Sequence, residues 1–307
     1  MLNSLSRAAG YARRWMYRRQ EQHIRQGRPT QWYLRTGFVE QSRLLDPRPA
    51  ELDKLEPPSG CSWMDPFVWK QGADYFIFME ERPFDRPHAH ISVLQLDKDG
   101  RRKSDPRVVL ARDYHLAYPF LFAFEGELYM MPDSNANRTV DVYRCESFPD
   151  RWAKSHTLFR ETRAADATLH HHQGQWWIFL TIQRGRYRLN HDLFVLHTDS
   201  PLGGVWREHR RRPVLQSFER ARPAGRLFEL DGRLYRPSQD CLRGYGHSLN
   251  INEITRLDGE RYAERLVHRV RPDWETGTIG NHHVDWNEGL MVMDVLRLGS
   301  TDNGQKR

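Results

Sequence analysis

The sequence predicts an all-β chain: a five-bladed β-propeller carrying a short helical extension at its N-terminus. Three observations carry that prediction. One apolar-aromatic hairpin unit recurs five times, its starts at residues 65, 118, 166, 222 and 282 lie 53, 48, 56 and 60 residues apart, and weaker strand-like segments fill the intervals. A period near fifty with a hairpin at the head of each unit matches four-stranded propeller blades. A β-sandwich would also show short strands, but it has no reason to repeat one head five times.

The chain begins with a basic segment. Residues 1–28 hold seven Arg and one acid, Glu21, so they carry +6 of the formal charge of +7 over 307 residues. Leu5, Ala8, Ala12, Trp15, Met16 and Ile24 fall roughly on one stripe of a helix over residues 4–26, which Gly27 and Pro29 end. Such a helix suits either an anionic membrane surface or the outside of the domain. The expected organisation is a basic extension over 1–34, the propeller over 35–298 and a polar tail over 299–307.

The five heads follow in order. They are Met64-Asp65-Pro66-Phe67 through Gly72 to Tyr75–Phe78, and Tyr118-Pro119-Phe120 through Gly126 to Leu128–Met131. Asp166-Ala167-Thr168-Leu169 then leads through Gly174 to Trp176–Phe179, and Arg222-Pro223-Ala224-Gly225 through Gly232 to Leu234-Tyr235. The last runs from His282-His283-Val284-Asp285-Trp286 through Gly289 to Leu290–Met293. Each is a β-hairpin signature. Ile91–Leu96, Val140–Tyr143 and Leu193–His197 fit third strands.

In a propeller the first strand of every blade runs beside the central axis, so equivalent head positions converge however far apart they lie in sequence. Asp65, His115 with Tyr118, Asp166, Arg222 and His282 therefore form one candidate ring. The ends of the second strands add Glu80, Glu81, Asp133, Arg236, Gln239 and Asp240. Glycoside hydrolysis needs one acid to protonate the leaving oxygen and another to activate water or attack the anomeric carbon. Crowding carboxylates lifts at least one pKa, which keeps an acid protonated near neutral pH. Arg222 and Arg236 suit a clamp on a ligand carboxylate or phosphate. Glu80 and Glu81 alternate across a strand, so one of them faces the funnel and the other solvent. Asp65-Pro66 reads equally as a simple turn, and Asp240 as a turn residue.

Other features exclude function classes. Outside residues 1–28 the charge is close to neutral, so the basicity does not point to nucleic acid at the main site. Cys61, Cys145 and Cys241 are an odd, widely spaced set that gives neither a zinc site nor a disulfide framework. His170-His171-His172 cannot present three ligands on one face of a strand, and His88 with His90 lacks a third ligand, so no metal and no cofactor is expected. Arginines interrupt the N-terminal apolar residues, which argues against a signal peptide, and no run of 18 apolar residues exists. The expected location is the cytoplasm, with peripheral contact at the inner membrane through the basic segment.

The segments Asp65-Pro66-Phe67, Phe78-Met79-Glu80-Glu81, His115–Pro119, Met131-Pro132-Asp133-Ser134, Ser147-Phe148-Pro149 with Trp152, Ala221–Gly225 and Arg236–Cys241 with Tyr245-Gly246 occur in an order that resembles a known domain. That domain is the N-terminal part of the plant glucosamine inositolphosphorylceramide transferases and its bacterial relatives, and the resemblance runs from about residue 60 to 290. It is in turn similar to the five-bladed propellers of the family 43 glycosidases. The resemblance implies Asp65 as base or nucleophile and Asp166 as the residue that orients substrate and tunes pKa. It leaves the proton donor open among Glu80, Glu81, Asp133 and Asp240. From their places at the strand heads and ends and in these segments, His115, Tyr118, Arg222, Arg236, Gln239, Tyr245 and His282 are the expected substrate contacts. Position 133 is Asp where the family pattern Met-Ile-Pro-Glu-Ser leads one to expect Glu, which shortens that acid by one methylene. The plant proteins carry their glycosyltransferase in a separate C-terminal domain, so the transferase activity is not implied for the propeller.

Two functions follow as expectations. One is a carbohydrate-active enzyme that hydrolyses or transfers a glycosyl unit in surface polysaccharide or glycolipid metabolism. The other is a non-catalytic glycan-binding or scaffolding module that assists a separate glycosyltransferase. Fold alone does not separate them.

Overall fold

A computed structural model describes residues 28–299. The expected helix over 4–26 lies outside the described residues. Among those described there is no α-helix, only three 3-10 segments of three to five residues, and none is long and apolar enough to cross a membrane.

Five antiparallel sheets of four or five strands each form the blades. Blade 1 comprises Cys61–Gln71, Asp74–Pro83, His90–Leu96 and Arg107–Leu110, and blade 2 comprises Ala117–Phe124, Glu127–Ser134, Thr139–Ser147 and Arg151–Phe159. Blade 3 comprises Arg163–His172, Gln175–Gln183, Asp192–Thr198 and the short edge Arg207–Glu208, with Leu215–Gln216 beside it. Blade 4 comprises Phe228–Leu230, Arg233–Asp240, Ser248–Leu257 and Tyr262–Val270. Blade 5 is assembled from both ends of the described chain. Val284–Asn287 and Thr278–Gly280 pair with Leu290–Leu298, which pairs in turn with Thr30–Phe38, and Asp53–Leu55 adds the outer edge.

The stretch Thr30–Leu34, expected within the extension, is thus a propeller strand with Tyr33 and Leu34 in the core. The expected third strands fall inside His90–Leu96, Thr139–Ser147 and Asp192–Thr198. Blade 4 departs from the pattern: Arg222–Gly225 makes one isolated bridge, Pro223 to Ser238, before a three-residue strand begins at Phe228.

The inner hairpins turn tightly. Glu125-Gly126, Gln173-Gly174, Asp231-Gly232 and Glu288-Gly289 all place two successive residues at positive φ, as the two-residue turns that match strand twist require. Apolar faces of neighbouring blades bury one another, with Phe67, Phe78, Phe120, Met130 and Ile178 in the largest cluster. Around the axis, Asp285 of blade 5 accepts from Val68 N at 2.8 Å and Arg226 Nε at 3.2 Å, while Arg226 also donates to Leu121 O at 2.7 Å. One buried carboxylate and one guanidinium therefore tie blades 1, 2, 4 and 5.

Candidate functional site

The inner strands of blades 1 to 3 share a defect at their heads. Pairing with the second strand skips from Met64 to Phe67, from Ala117 to Phe120, and from Ala165 to Thr168. At each skip stands a residue in the left-handed region: Asp65 at φ 50°, Tyr118 at 46° and Asp166 at 54°. A bulge re-aims the side chain it carries. Here it turns all three toward the axis and buries them, with 2%, 0% and 1% of their surfaces exposed.

Two layers result. In the inner layer, Asp65 Oδ1 lies 3.4 Å from His282 Nε2 and 3.6 Å from His283 Nδ1, and is buried without a hydrogen-bond donor aimed at it. Asp294 organises this corner. Its Oδ1 accepts from the backbone N–H of His282 and His283 at 2.9 and 3.0 Å, while its Oδ2 accepts from Asp65 N at 3.1 Å and lies 2.7 Å from His282 Nδ1. Asp166 is held by Arg222 through Nε and Nη2, at 2.5 and 3.1 Å, and by Gln239 Nε2 at 3.0 Å. Arg222 also donates to Asn190 Oδ1 at 2.8 Å and stacks 4.9 Å from the Tyr245 ring.

The outer layer is the wall of a cavity of about 770 Å3, lined among others by Trp32, Glu80, Arg82, Phe84, Arg86, His115, Asp133, Arg163, Arg222 and Tyr245. Glu80 pairs opposite Met64 and Asp133 opposite Ala117, so the two acids occupy equivalent positions, one residue before the bulges of adjacent blades. His115 Nε2 lies 3.2 Å from Glu80 Oε1, and Asp133 Oδ1 accepts from Asn135 N at 2.7 Å. Tyr245 keeps 41% of its surface exposed along the wall while its hydroxyl turns inward, 3.2 Å from His282 Nε2. Arg82, Arg86 and Arg163 are exposed at the rim, and none forms an ion pair among the described residues.

The electrostatics follow from the layering. Burial pushes Asp133 up to about 7, and the charge of Asp166 behind it pushes the same way. Burial also raises Glu80, with Asp65 adding to the rise and His115 opposing it. The Glu80 carboxylate in turn raises His115. Burial would lift Asp65, but His282 and His283 outweigh it and hold the carboxyl below its usual range. Burial would depress His282, yet Asp294 and then Asp65 lift it to about 9, so it carries charge at neutral pH. Burial raises Asp166 against the pull of Arg222.

Of the residues expected from sequence, Glu80, His115, Asp133, Arg222 and Tyr245 line the cavity, and Asp65, Asp166, Gln239 and His282 support it from behind. Four stand elsewhere. Tyr118 is fully buried, its hydroxyl bound to Thr168 Oγ1 at 2.7 Å and accepting from Gly225 N at 2.9 Å, so it ties blades 2, 3 and 4 and does not line the cavity. Arg236 is fully buried against Glu264, Tyr262 and Arg220 O inside blade 4. Asp240 caps Leu242 N at 2.9 Å and pairs with Arg269 at 3.3 Å, as a turn residue does. Glu81 points off the funnel face to Trp63 Nε1 at 2.8 Å and His90 Nε2 at 3.2 Å.

Sequence reasoning passed over Asp294, His283 and the arginine rim. Asp294 did leave a signal: it is an acid in the otherwise apolar run Leu290–Leu296, where an unpaired charge would not be tolerated. The rim arginines lie in loops and at strand ends that carry no repeat.

Fold and cavity together define a five-bladed propeller with an acid-walled axial site. By sequence the chain belongs to the family described as glucosamine inositolphosphorylceramide transferase 1, N-terminal, whose model matches residues 52–298. Glucosamine inositolphosphorylceramide transferase 1 of Oryza sativa subsp. indica is 32% identical over 255 residues, which cover 79% of this chain and 34% of the relative. The Arabidopsis thaliana protein is 32% identical over 203 residues, 65% of this chain and 26% of the relative. The chain thus spans about a third or less of these relatives. Among solved structures, it is similar to an α-L-arabinofuranosidase of Podospora anserina solved with cellotriose (TM-score 0.56, 13% identity, 75% of this chain and 79% of that one). It is also similar to an exo-β-1,3-galactanase of Clostridium thermocellum (TM-score 0.54, 10% identity, 81% and 64%). At these identities the likeness is one of fold.

Proposed function

We propose that the axial cavity is a carbohydrate-handling site in which Glu80 and Asp133 carry the proton transfers of glycosidic-bond hydrolysis or glycosyl transfer. The observation that carries the reading is the pair of carboxyls at equivalent positions on one cavity wall, with Asp133 lifted to about 7 and so able to hold a proton at neutral pH. Asp65 and Asp166 act through them on this reading: their charge lifts Glu80 and Asp133 from behind. Trp32, Phe84 and Tyr245 offer flat faces for sugar rings. Arg82, Arg86 and Arg163, which form no ion pair among the described residues, favour a substrate bearing phosphate or carboxylate.

The names of the relatives agree with a glycan or glycolipid as ligand, and the two solved neighbours are named as an arabinofuranosidase and a galactanase. A place in cell-surface glycan or glycolipid metabolism, at the cytoplasmic face of a membrane, is part of the proposal. A second reading, recognition without turnover on behalf of a separate glycosyltransferase, is favoured by one specific observation: both inner-layer aspartates are buried behind the cavity, Asp65 without access to it and Asp166 engaged by Arg222.

The test is a screen of activated glycosides and phosphorylated or uronic-acid glycans against the purified chain, Glu80→Gln and Asp133→Asn, with folding verified. Turnover by the wild type that both variants lose supports the enzyme. Saturable binding by all three, with no turnover from any, replaces it with the recognition module.

A further inference from the structure

The inner strand of blade 3 starts at the acid-walled cavity and ends far from it. Beyond the bulge, Thr168 to His172 spans about 13 Å of extended chain, so His172 stands at the opposite end of the inner strand from that cavity. Side chains alternate along this strand. His170 and His172 share a face and lie with ring centroids 6.2 Å apart, while His171 turns away onto Trp176 at 5.2 Å. Glu229, on the inner strand of blade 4, meets both rings: its Oε1 is 3.4 Å from His170 Nε2 and 2.8 Å from His172 Nδ1.

We propose that His170, His172 and Glu229 form a binding site for one divalent transition-metal ion of the zinc class, bridging blades 3 and 4. The donor chemistry is two imidazole nitrogens and a carboxylate oxygen, a set that suits zinc and its neighbours and not the oxygen-seeking calcium or magnesium. The geometry is close to what the ion requires. Bonds of about 2.0–2.1 Å at tetrahedral angles separate donors by roughly 3.4 Å. The His170 Nε2 to Glu229 Oε1 separation already has that value, and one donor atom from each residue lies within 4.8 Å of the others. The half-exposed Glu229 side chain is free to widen its 2.8 Å contact with His172.

The surroundings agree. The two histidine side chains are 16% and 20% exposed, enough to limit competition from water while leaving a path for the ion. A second cavity of about 430 Å3 opens beside His170 and Glu229 and is lined also by Gln41, Arg226, Asp285 and Asn287. Three protein donors leave the fourth position of a tetrahedral ion for water from that cavity. Because the donors come from two blades, the ion would act as a clip between them.

The experiment uses the full chain stripped with a chelator and then freed of it. Cobalt(II) serves as the spectroscopic probe and zinc as its competitor, measured on wild type, His172→Gln, Glu229→Gln and, as a control at an exposed histidine outside the cluster, His156→Ala. The expected result is one equivalent of cobalt with the visible bands of a four-coordinate N,N,O site, displaced by zinc and unchanged in His156→Ala. Affinity falls by roughly tenfold or more in each of the other variants. Zinc also raises the wild-type melting temperature by mass action, and raises it less in those variants. Two results overturn the proposal: no saturable uptake by the wild type, or uptake of the same affinity in a folded His172→Gln and a folded Glu229→Gln.

Discussion

Asp294 binds two backbone N–H groups of blade 5 and one of blade 1 while standing beside a charged imidazole. Removing its charge leaves His282 buried with less compensation. Asp294→Asn is expected to cost about 3–5 kcal/mol, the cost of breaking a buried pair from one side. The pH sign is fixed by the direction of the His282 shift. A histidine raised to about 9 stabilises the fold fully below its unfolded pKa of about 6.5, and that stability is lost as pH rises through about 9. Denaturant unfolding at pH 6.5 and 9.5 should show this loss in the wild type and a smaller one in Asp294→Asn. Asp133 gives the opposite case, an acid raised to about 7. The folded state prefers it protonated, so its burial costs increasingly more as pH rises from about 4 through 7. Asp133→Asn keeps the acceptor for Asn135 N. It should stabilise the protein at pH 8 relative to pH 5 by on the order of 2 kcal/mol, reduced from the full shift because the carboxyl faces the cavity. If the wild type turns over a glycoside, its pH profile should fall on the alkaline side near pH 7 as Asp133 loses its proton; a profile without that limb would assign proton donation to another group. Much of this residue set was legible, because repeat position singled out Asp65, Asp166, Arg222 and His282, and strand ends singled out Glu80 and Asp133. The layer each occupies was not. A bulge shifts pairing and exchanges the faces of a strand, and nothing in the residue types announces it.

The heads of blades 1 to 3 hold non-glycine residues at positive φ, a conformation that costs roughly 1–2 kcal/mol for a residue with a Cβ. Aspartate tolerates it through its short polar side chain; Tyr118 does so with its hydroxyl fixed between Thr168 and Gly225. Blade 4 solves the same corner with Gly225 at φ 127°, and a Cβ there would stand 1.9 Å from the Val284 carbonyl oxygen. Gly225→Ala should therefore push blades 4 and 5 apart and cost upward of about 4 kcal/mol. Gly126→Ala, at φ 79° with nothing within 4 Å, should cost about 1 kcal/mol, the backbone penalty alone. Thermal melts of the two variants check the contrast, and equal losses would refute a steric origin. The hairpins were readable because a Gly-marked turn sits between two apolar runs. The outer strands were not, since edges such as Arg207–Glu208 are short and polar, as exposed edges must be.

The ring closes by pairing Thr30–Phe38 with Leu290–Leu298 along nine residues. Sequence reading left Thr30–Leu34 in the extension because the strand's partner lies some 260 residues away and no local turn joins them. Deleting residues 1–38 should expose the edge of Leu290–Leu298, and Val292 and Val295 would lose a covering strand. The truncated chain is expected to unfold at lower temperature and to associate, which calorimetry and light scattering would detect; a monomer with unchanged melting would contradict closure by this strand.

Gly299 N donates to Pro29 O at 2.7 Å, and Thr30 and Trp32 lie on the wall of the acid-lined cavity. Whatever polypeptide is joined before Arg28 or after Gly299 leaves the molecule at one spot, beside the rim where a glycan would enter. Backbone connectivity at that seam is incidental to the architecture. A circular permutant that bridges 29 to 299 and opens at the Glu125-Gly126 turn would keep all five sheets, while moving any fusion partner from the rim to the opposite end of the inner strands.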